Sequence, residues 1–205
     1  MDNDLTLRDL LNRAYHNTPA DIQLRLSAAT TQKEFLEQIE RAVDWSISRL
    51  VQGRKHHQDM SEDQRTVAIV DMLGAMGIQA KHDAEIGGHT DISIELRDGF
   101  LWLAEAKNWT GCSWIFKGYR QLMTRYSTGM PNQDQGAIII YFEQEGASTL
   151  MSKWKKSLGD RVTFTAETSD ISEVAFRTTH NHRGVGRSYH VKHLGVPLYW
   201  NPEDK

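Results

Sequence analysis

Glu105-Ala-Lys107 sets an acid and a base two residues apart, so in an extended segment both side chains project from one face. The pair closes the apolar run Phe100-Leu-Trp-Leu-Ala104, and burying unpaired charge at the end of such a strand is costly. Upstream, Asp91 follows Gly87-Gly88-His89-Thr90 and opens a second strand-like run. Asp98-Gly99 between the runs is a hairpin signal. Asp91 stands seven residues before Asp98 and Glu105 six after Gly99, so a hairpin brings the start of one strand beside the end of the next. Two carboxylates converging beside a lysine make a hard-oxygen site suited to Mg²⁺ or Mn²⁺. A divalent cation there relieves their repulsion, acidifies a water and neutralises charge on a phosphoryl oxygen, while Lys107 orients the nucleophile. The same spacing also accommodates a surface salt bridge between Glu105 and Lys107, with Asp91 capping its strand. The tripeptide pattern alone carries little, because Glu203-Asp-Lys205 repeats it at the end of the chain.

The elements that must hold these residues show in the periodicity. Leu7, Leu10, Leu11 and Tyr15 follow a helical stripe that Pro19 ends. Thr31-Gln-Lys-Glu34 reads as a capping box, and Phe35, Ile39, Val43, Ile47 and Leu50 share one face of the helix it opens, with Gly53 as its stop. The polar segment 54–60 reads as a linker. A boundary near residue 58 divides a helical N-terminal extension, 1–57, from a domain over 58–205. The apolar face of the extension must be buried, either on that domain or in a homodimer or partner interface. Ser61 can cap a helix to about Met76 with Val67, Ile69, Val70, Leu73 and Met76 inward. A short strand over 78–83 and the hairpin 91–107 follow. Then come a helix over 113–128 with the stripe Ile115, Tyr119, Leu122, Tyr126, a buried central strand at 136–142, a helix over 147–158, and two or three strands within 162–199. This order predicts an α/β fold, a mixed sheet flanked by helices.

Composition limits the function classes. The 205 residues carry a formal net charge of −3, which does not announce a nucleic-acid binder. The charge is uneven, however: 1–106 holds 11 Lys+Arg against 18 Asp+Glu, and 107–205 holds 13 against 9. An acidic metal-holding patch beside a basic phosphate-holding surface would produce this asymmetry; so would ordinary fluctuation. One cysteine, Cys112, excludes an internal disulfide and a cysteine-rich zinc cage. The start of the chain has no secretory pattern, and no apolar run approaches the ~18–20 residues needed to cross a bilayer. A soluble, cytoplasmic protein with no membrane partner is expected.

The run GGHTDISIELRDGFLWLAEAKNW (87–109) resembles the core of the PD-(D/E)xK nuclease superfamily, with its restriction-endonuclease-like fold. The likeness extends over roughly 61–200 and is greatest to the uncharacterised or defence-associated bacterial branch. It implies a metal-dependent nuclease that hydrolyses phosphodiester bonds, with DNA favoured over RNA and Mg²⁺ or Mn²⁺ as cofactor. It further implies Asp91 and Glu105 as metal ligands, with Ala106 also in the metal set, Lys107 as catalytic lysine, and Glu62 as a helical carboxylate reaching the metal through water. Glu62, with Asp63 beside it, also reads as an ordinary first-turn residue favoured by the helix dipole. Relatives with glutamine at the position of Gln121 often carry tyrosine four residues on. Here that position is Arg125, which could contact a phosphate as a planar donor, and the tyrosine is Tyr126. Lys117, one turn before Gln121, reads as solvated. The alternative is a catalytically silent nucleic-acid- or partner-binding module of the same fold, or a scaffold whose helices recruit a partner; the intact Asp91, Glu105 and Lys107 argue against silence.

His180, His182, His190 and His193 near the end suit imidazole ligands to zinc, and His180 with His182 on one strand face equally suit a wet phosphate-facing edge. The basic stretch from Arg177 to Lys192, with Gly184 and Gly186, predicts a hairpin whose Arg183 and Arg187 touch nucleic-acid backbone or a partner. Trp109 and Trp114 bracket the segment after Lys107, where base stacking or packing over the site could use them.

Overall fold

A strand that is apolar on both faces needs cover on both, and the two such runs, Leu101–Asn108 and Gln135–Phe142, pair in parallel at the centre of the sheet. The computed structural model describes residues 6–14, 17–166 and 169–204. Among them seven strands form one sheet: Ala80–Glu85 (β1), His89–Glu95 (β2), Leu101–Asn108 (β3), Gln135–Phe142 (β4), Ser169–Ser172 (β5), Ala175–Asn181 (β6) and Ser188–Pro197 (β7). The order is β1-β2-β3-β4-β7-β6-β5. The first three strands are an antiparallel meander, β4 runs parallel to β3 and β7, and β6 and β5 return antiparallel. The described helices are Leu7–Ala14 (α1), Thr18–Ala28 (α2), Gln32–Gln52 (α3), Arg54–His57 (α4), Glu62–Ala75 (α5), Cys112–Gln121 (α6) and Ala147–Gly159 (α7). The protein is thus an α/β structure with a mixed sheet flanked by helices. None of its described helices is long and apolar enough to cross a membrane.

Alternation along the central strands divides the interior into two cores. Trp102, Ala104, Ala106, Ala137, Ile139 and Tyr141 face α2, α3 and α5. Leu101, Leu103, Ile138, Ile140 and Phe142 face α6 and α7. The apolar face of α3 (Phe35, Ile39, Val43, Ile47, Leu50) is buried in the first core, so it packs on the sheet. Its capping box is present, with Thr31 Oγ1 accepting from Glu34 N–H and Glu34 accepting from Thr31 N–H. Charge reinforces the docking. Arg177 of β6 donates to both oxygens of Glu40, and Lys192 of β7, 3 % exposed, lies 2.9 Å from both oxygens of Asp44. Part of the sequence's charge asymmetry is therefore neutralised inside the fold, and both ends of the basic stretch 177–192 are engaged with α3 rather than free for phosphate.

Several local expectations change. Val67 is exposed, and the inward residues of α5 are Arg65, Thr66, Ile69 and Leu73. The helix is turned by Arg65, whose fully buried guanidinium donates to the carbonyls of His57 and Gln58 and to Asn108 Oδ1. For the same reason 54–60 is no free linker: it forms α4 and a turn that Arg65 ties down. The β2–β3 connection is wider than a two-residue turn. Leu96 N–H donates to Phe100 O across the 3₁₀ turn Arg97–Gly99, with Asp98 and Gly99 at φ 61° and 72°. The helix expected over 113–128 is α-helical to Gln121 and then widens into a π turn, Leu122–Tyr126. Ile115, Tyr119, Leu122 and Tyr126 are nonetheless all buried. Tyr15 and Lys205 lie outside the described residues.

Candidate active site

The β2–β3 register fixes the first contact. Ile92 pairs with Ala104, and one step further places Asp91 opposite Glu105. Ala106 N–H donates to Asp91 Oδ2 at 2.7 Å, anchoring one carboxylate oxygen to the neighbouring strand. Glu105 and Lys107 project towards α6, which can lie close because residue 118 is glycine. A Cβ there would come 3.0 Å from Lys107 Cγ and 3.1 Å from Glu105 Cγ.

Glu62 arrives from the opposite face of the sheet. Ser61 caps α5 in a reciprocal box with Gln64, so Glu62 is the first residue of the helix. Its Oε2 accepts from Asn108 N–H at 2.6 Å. Arg65, one turn later, holds the Asn108 side chain at 2.7 Å and pairs with Glu143. Arg65 and Asn108 are thus positioning residues that the sequence did not mark; an arginine inside an apolar helical stripe was the only signal.

These elements converge on one atom. Lys107 Nζ lies 2.8 Å from Glu105 Oε1, 2.8 Å from the Ala106 carbonyl oxygen, 3.2 Å from Glu62 Oε1 and 3.6 Å from Asp91 Oδ2. The four residues named as the metal set surround the ammonium. Glu105 is 1 % exposed, and its Oε2 has no hydrogen-bond partner among the described residues. Burial, then the negative charge of Asp91, pushes the Glu105 carboxyl up to about 7. Burial likewise raises Asp91. Lys107 would be pulled down by burial, but Asp91 and Glu105 more than reverse this and hold it firmly charged.

Among the described residues, no three His, Cys, Asp or Glu side chains stand arranged to hold a metal ion. The donor chemistry fits a hard cation all the same: every oxygen in the ring is a carboxylate or carbonyl, and one buried carboxylate oxygen is unpartnered. Lys107 Nζ holds the centre that such a cation would take.

Gln121 and Tyr126 flank this cluster. Gln121 Nε2 donates to Tyr126 Oη at 3.2 Å. Burial, then the nearby Glu105 charge, raises the Tyr126 hydroxyl. The π turn carrying Tyr126 lies against Gly87-Gly88: a Cβ on Gly87 would fall 2.0 Å from the Arg125 carbonyl oxygen, and one on Gly88 3.0 Å from the Tyr126 ring. Arg125 and Lys117 are exposed, with Lys117 Nζ 4.7 Å above the Trp114 ring. Trp109 packs on Phe142.

The structure does not bring Arg183 and Arg187 to the carboxylates. By register their turn stands where β4 begins, whereas Lys107 lies where β3 ends. Nor do the histidines form a zinc site or a wet edge. His180 and His193 are buried and bonded through Thr178, and His182 and His190 bond Ser127 O and Thr179. A cleft of about 890 Å³ between α7 and β5–β6 has none of the clustered carboxylates in its lining and mixes Lys155 and Lys156 with Asp160, Asp170 and Glu173. The carboxylate cluster is the candidate site on chemical grounds. No family model matches the chain, and no match was found among curated proteins or solved structures.

Proposed function

We propose that this protein is a metal-dependent nuclease of the PD-(D/E)xK kind, with a restriction-endonuclease-like fold, which hydrolyses phosphodiester bonds in nucleic acid, DNA before RNA. The observation that carries the reading is the ring of oxygens from Glu62, Asp91, Glu105 and Ala106 about one cationic centre, with Glu105 Oε2 unpartnered. Asp91, Glu105 and the Ala106 carbonyl would hold Mg²⁺ or Mn²⁺ directly, and Glu62 would stand beside them. A bound divalent cation supplies charge for the phosphoryl oxygens and acidifies water. The chain's own residues do the positioning. Ala106 N–H and Asn108 N–H fix the Asp91 and Glu62 carboxylates in orientation. Lys107 would donate to the attacking water or the phosphate. Lys117, Gln121 and Arg125 line a groove of about 290 Å³ that supplies cationic and amide donors for the substrate strand.

One observation favours the alternative, a catalytically silent module of the same fold: the Lys107 ammonium already neutralises the carboxylates without any metal. The two readings separate when the full chain is incubated with plasmid, linear duplex, single-stranded DNA and RNA in Mg²⁺, Mn²⁺ or EDTA. The nuclease reading expects cleavage in either metal and none in EDTA. No cleavage in any condition, or equal cleavage in EDTA, overturns it.

A further inference from the structure

A second cleft, of about 580 Å³, opens between α6, the segment 161–165 and the end of β6. Arg120, Arg161 and Arg183 line it, and among the described residues no carboxylate does. It shares Phe116, Arg120 and Thr124 with the groove of Lys117, Gln121 and Arg125, which also lacks a carboxylate. One basic surface of described residues therefore runs from beside Gln121 into this cleft.

At its floor a buried polar chain ends in Tyr119. Trp154 Nε1 lies 3.2 Å from His193 Nδ1, His193 Nε2 2.9 Å from Thr178 Oγ1, Thr178 Oγ1 2.6 Å from His180 Nε2, and His180 Nδ1 3.1 Å from Tyr119 Oη. An indole N–H can only donate, so His193 Nδ1 accepts, and the neutral ring then carries its proton on Nε2 and donates to Thr178. Among the described residues the buried threonine proton has one acceptor left, His180 Nε2. His180 therefore carries its proton on Nδ1 and donates to Tyr119 Oη. Burial holds both rings neutral, His180 down to about 4 and His193 well below its usual range. This is the arrangement that leaves no proton of the chain unpaired in the interior. It leaves Tyr119 with an accepted hydrogen bond and its own O–H proton unassigned, in a wall of the cleft. The Arg183 charge acts on the same hydroxyl.

We propose that this cleft is a phosphate subsite for a single nucleic-acid strand, gripped by Arg120, Arg161 and Arg183 with the Tyr119 hydroxyl as a neutral donor to a phosphate oxygen. The proposal rests on the nuclease reading, because continuity with the Gln121 groove makes the occupant a phosphate of the strand cut at the carboxylates. Three guanidiniums supply charge and planar donors, and the buried chain sets the direction of the Tyr119 donor.

The test is fluorescence anisotropy with a short labelled single-stranded oligonucleotide in EDTA, where no chemistry occurs. The triple variant Arg120→Ala, Arg161→Ala, Arg183→Ala should bind at least about tenfold more weakly. Its log–log salt slope should be shallower by about 0.7, the contribution of one phosphate contact on a single strand. Tyr119→Phe should weaken binding several-fold with the slope unchanged, because the lost donor is neutral. Wild-type affinity and slope in the triple variant, or no salt-dependent binding by the wild type, overturn the subsite. Cleavage, measured separately with Asp91→Asn as control, reports on the nuclease reading alone, so the two failures are distinguishable.

Discussion

Gln121 Nε2 donates to Tyr126 Oη although they stand five positions apart, and the π turn Leu122–Tyr126 makes the contact. In an α-helix a residue five positions on is rotated off the face that its predecessor at four shares. A π turn holds more residues per turn and brings the fifth back into line. The glutamine-to-tyrosine interval of four that the resemblance implies is thus five here, with Arg125 left in solvent.

Gln121→Ala and Tyr126→Phe should each lower turnover about tenfold, and the double variant should lose little more than either single, since one hydrogen bond is shared. Steady-state kinetics of the four proteins checks this. Fully additive losses would show that the two side chains act independently.

Gly118 and Gly87 should respond differently to alanine. Gly118→Ala gains up to about 1 kcal/mol of helix propensity, yet its methyl presses on the stems of Lys107 and Glu105. The expected outcome is a folded protein of lowered activity. Gly87→Ala meets the Arg125 carbonyl oxygen at φ 64°, where a side chain costs about 1–2 kcal/mol before any clash. Its melting temperature should fall and the Gln121–Tyr126 contact should be disturbed. Wild-type stability for Gly87→Ala would contradict the packing of the π turn.

The α3 docking charges should be unequal in effect. Lys192 is buried, whereas Asp44 is 51 % exposed and Glu40 also pairs with Arg177. Lys192→Met leaves carboxylates that water or arginine can satisfy and should cost under about 1 kcal/mol. Asp44→Ala leaves a buried ammonium with Glu40 at 3.6 Å, itself paired to Arg177, and should cost about 1–3 kcal/mol. Urea denaturation of both variants measures the order, and the reverse order would contradict it.

The Glu105 carboxyl sets a pH dependence. Its pKa is raised from 4.5 to about 7, so the folded state binds this proton more tightly than the unfolded chain. The associated stability is complete at low pH and is lost as pH rises through about 7. A divalent cation competes with the same proton. The thermal stabilisation by Mn²⁺ should therefore be small near pH 6 and largest above about pH 8. A shift that is constant across this range, or larger at the acid end, would contradict the assignment of Glu105 as a ligand.

Much of this arrangement was legible in the sequence. Glu105-Ala-Lys107 after an apolar strand, with Asp91 the right distance before the turn, located the cluster even though the turn is wider than two residues, because register depends on total spacing. Glu62 was assigned to the cluster only by the resemblance, since its place after the Ser61 cap reads equally as an ordinary first turn. Arg65, Asn108 and the π turn were not, since their roles arise from contacts between elements far apart in sequence. The arginines at 183 and 187 were legible as a hairpin but not in position: which end of the sheet a hairpin occupies is decided by the parallel β4–β7 pairing, which no local pattern encodes.

The central claim is that one ring of oxygens binds a cation and that Lys107 acts in chemistry rather than in holding the fold. It is tested most directly by measuring Mn²⁺ affinity and single-turnover cleavage on the same preparations of wild type, Asp91→Ala and Lys107→Ala. Asp91→Ala should lose both. Lys107→Ala, freed of the ammonium at the centre, should bind Mn²⁺ at least as tightly as wild type yet cleave at least about a hundredfold more slowly, a transition-state loss of about 3 kcal/mol. Lys107→Ala that cleaves at the wild-type rate, or Asp91→Ala that keeps both functions, would contradict the account.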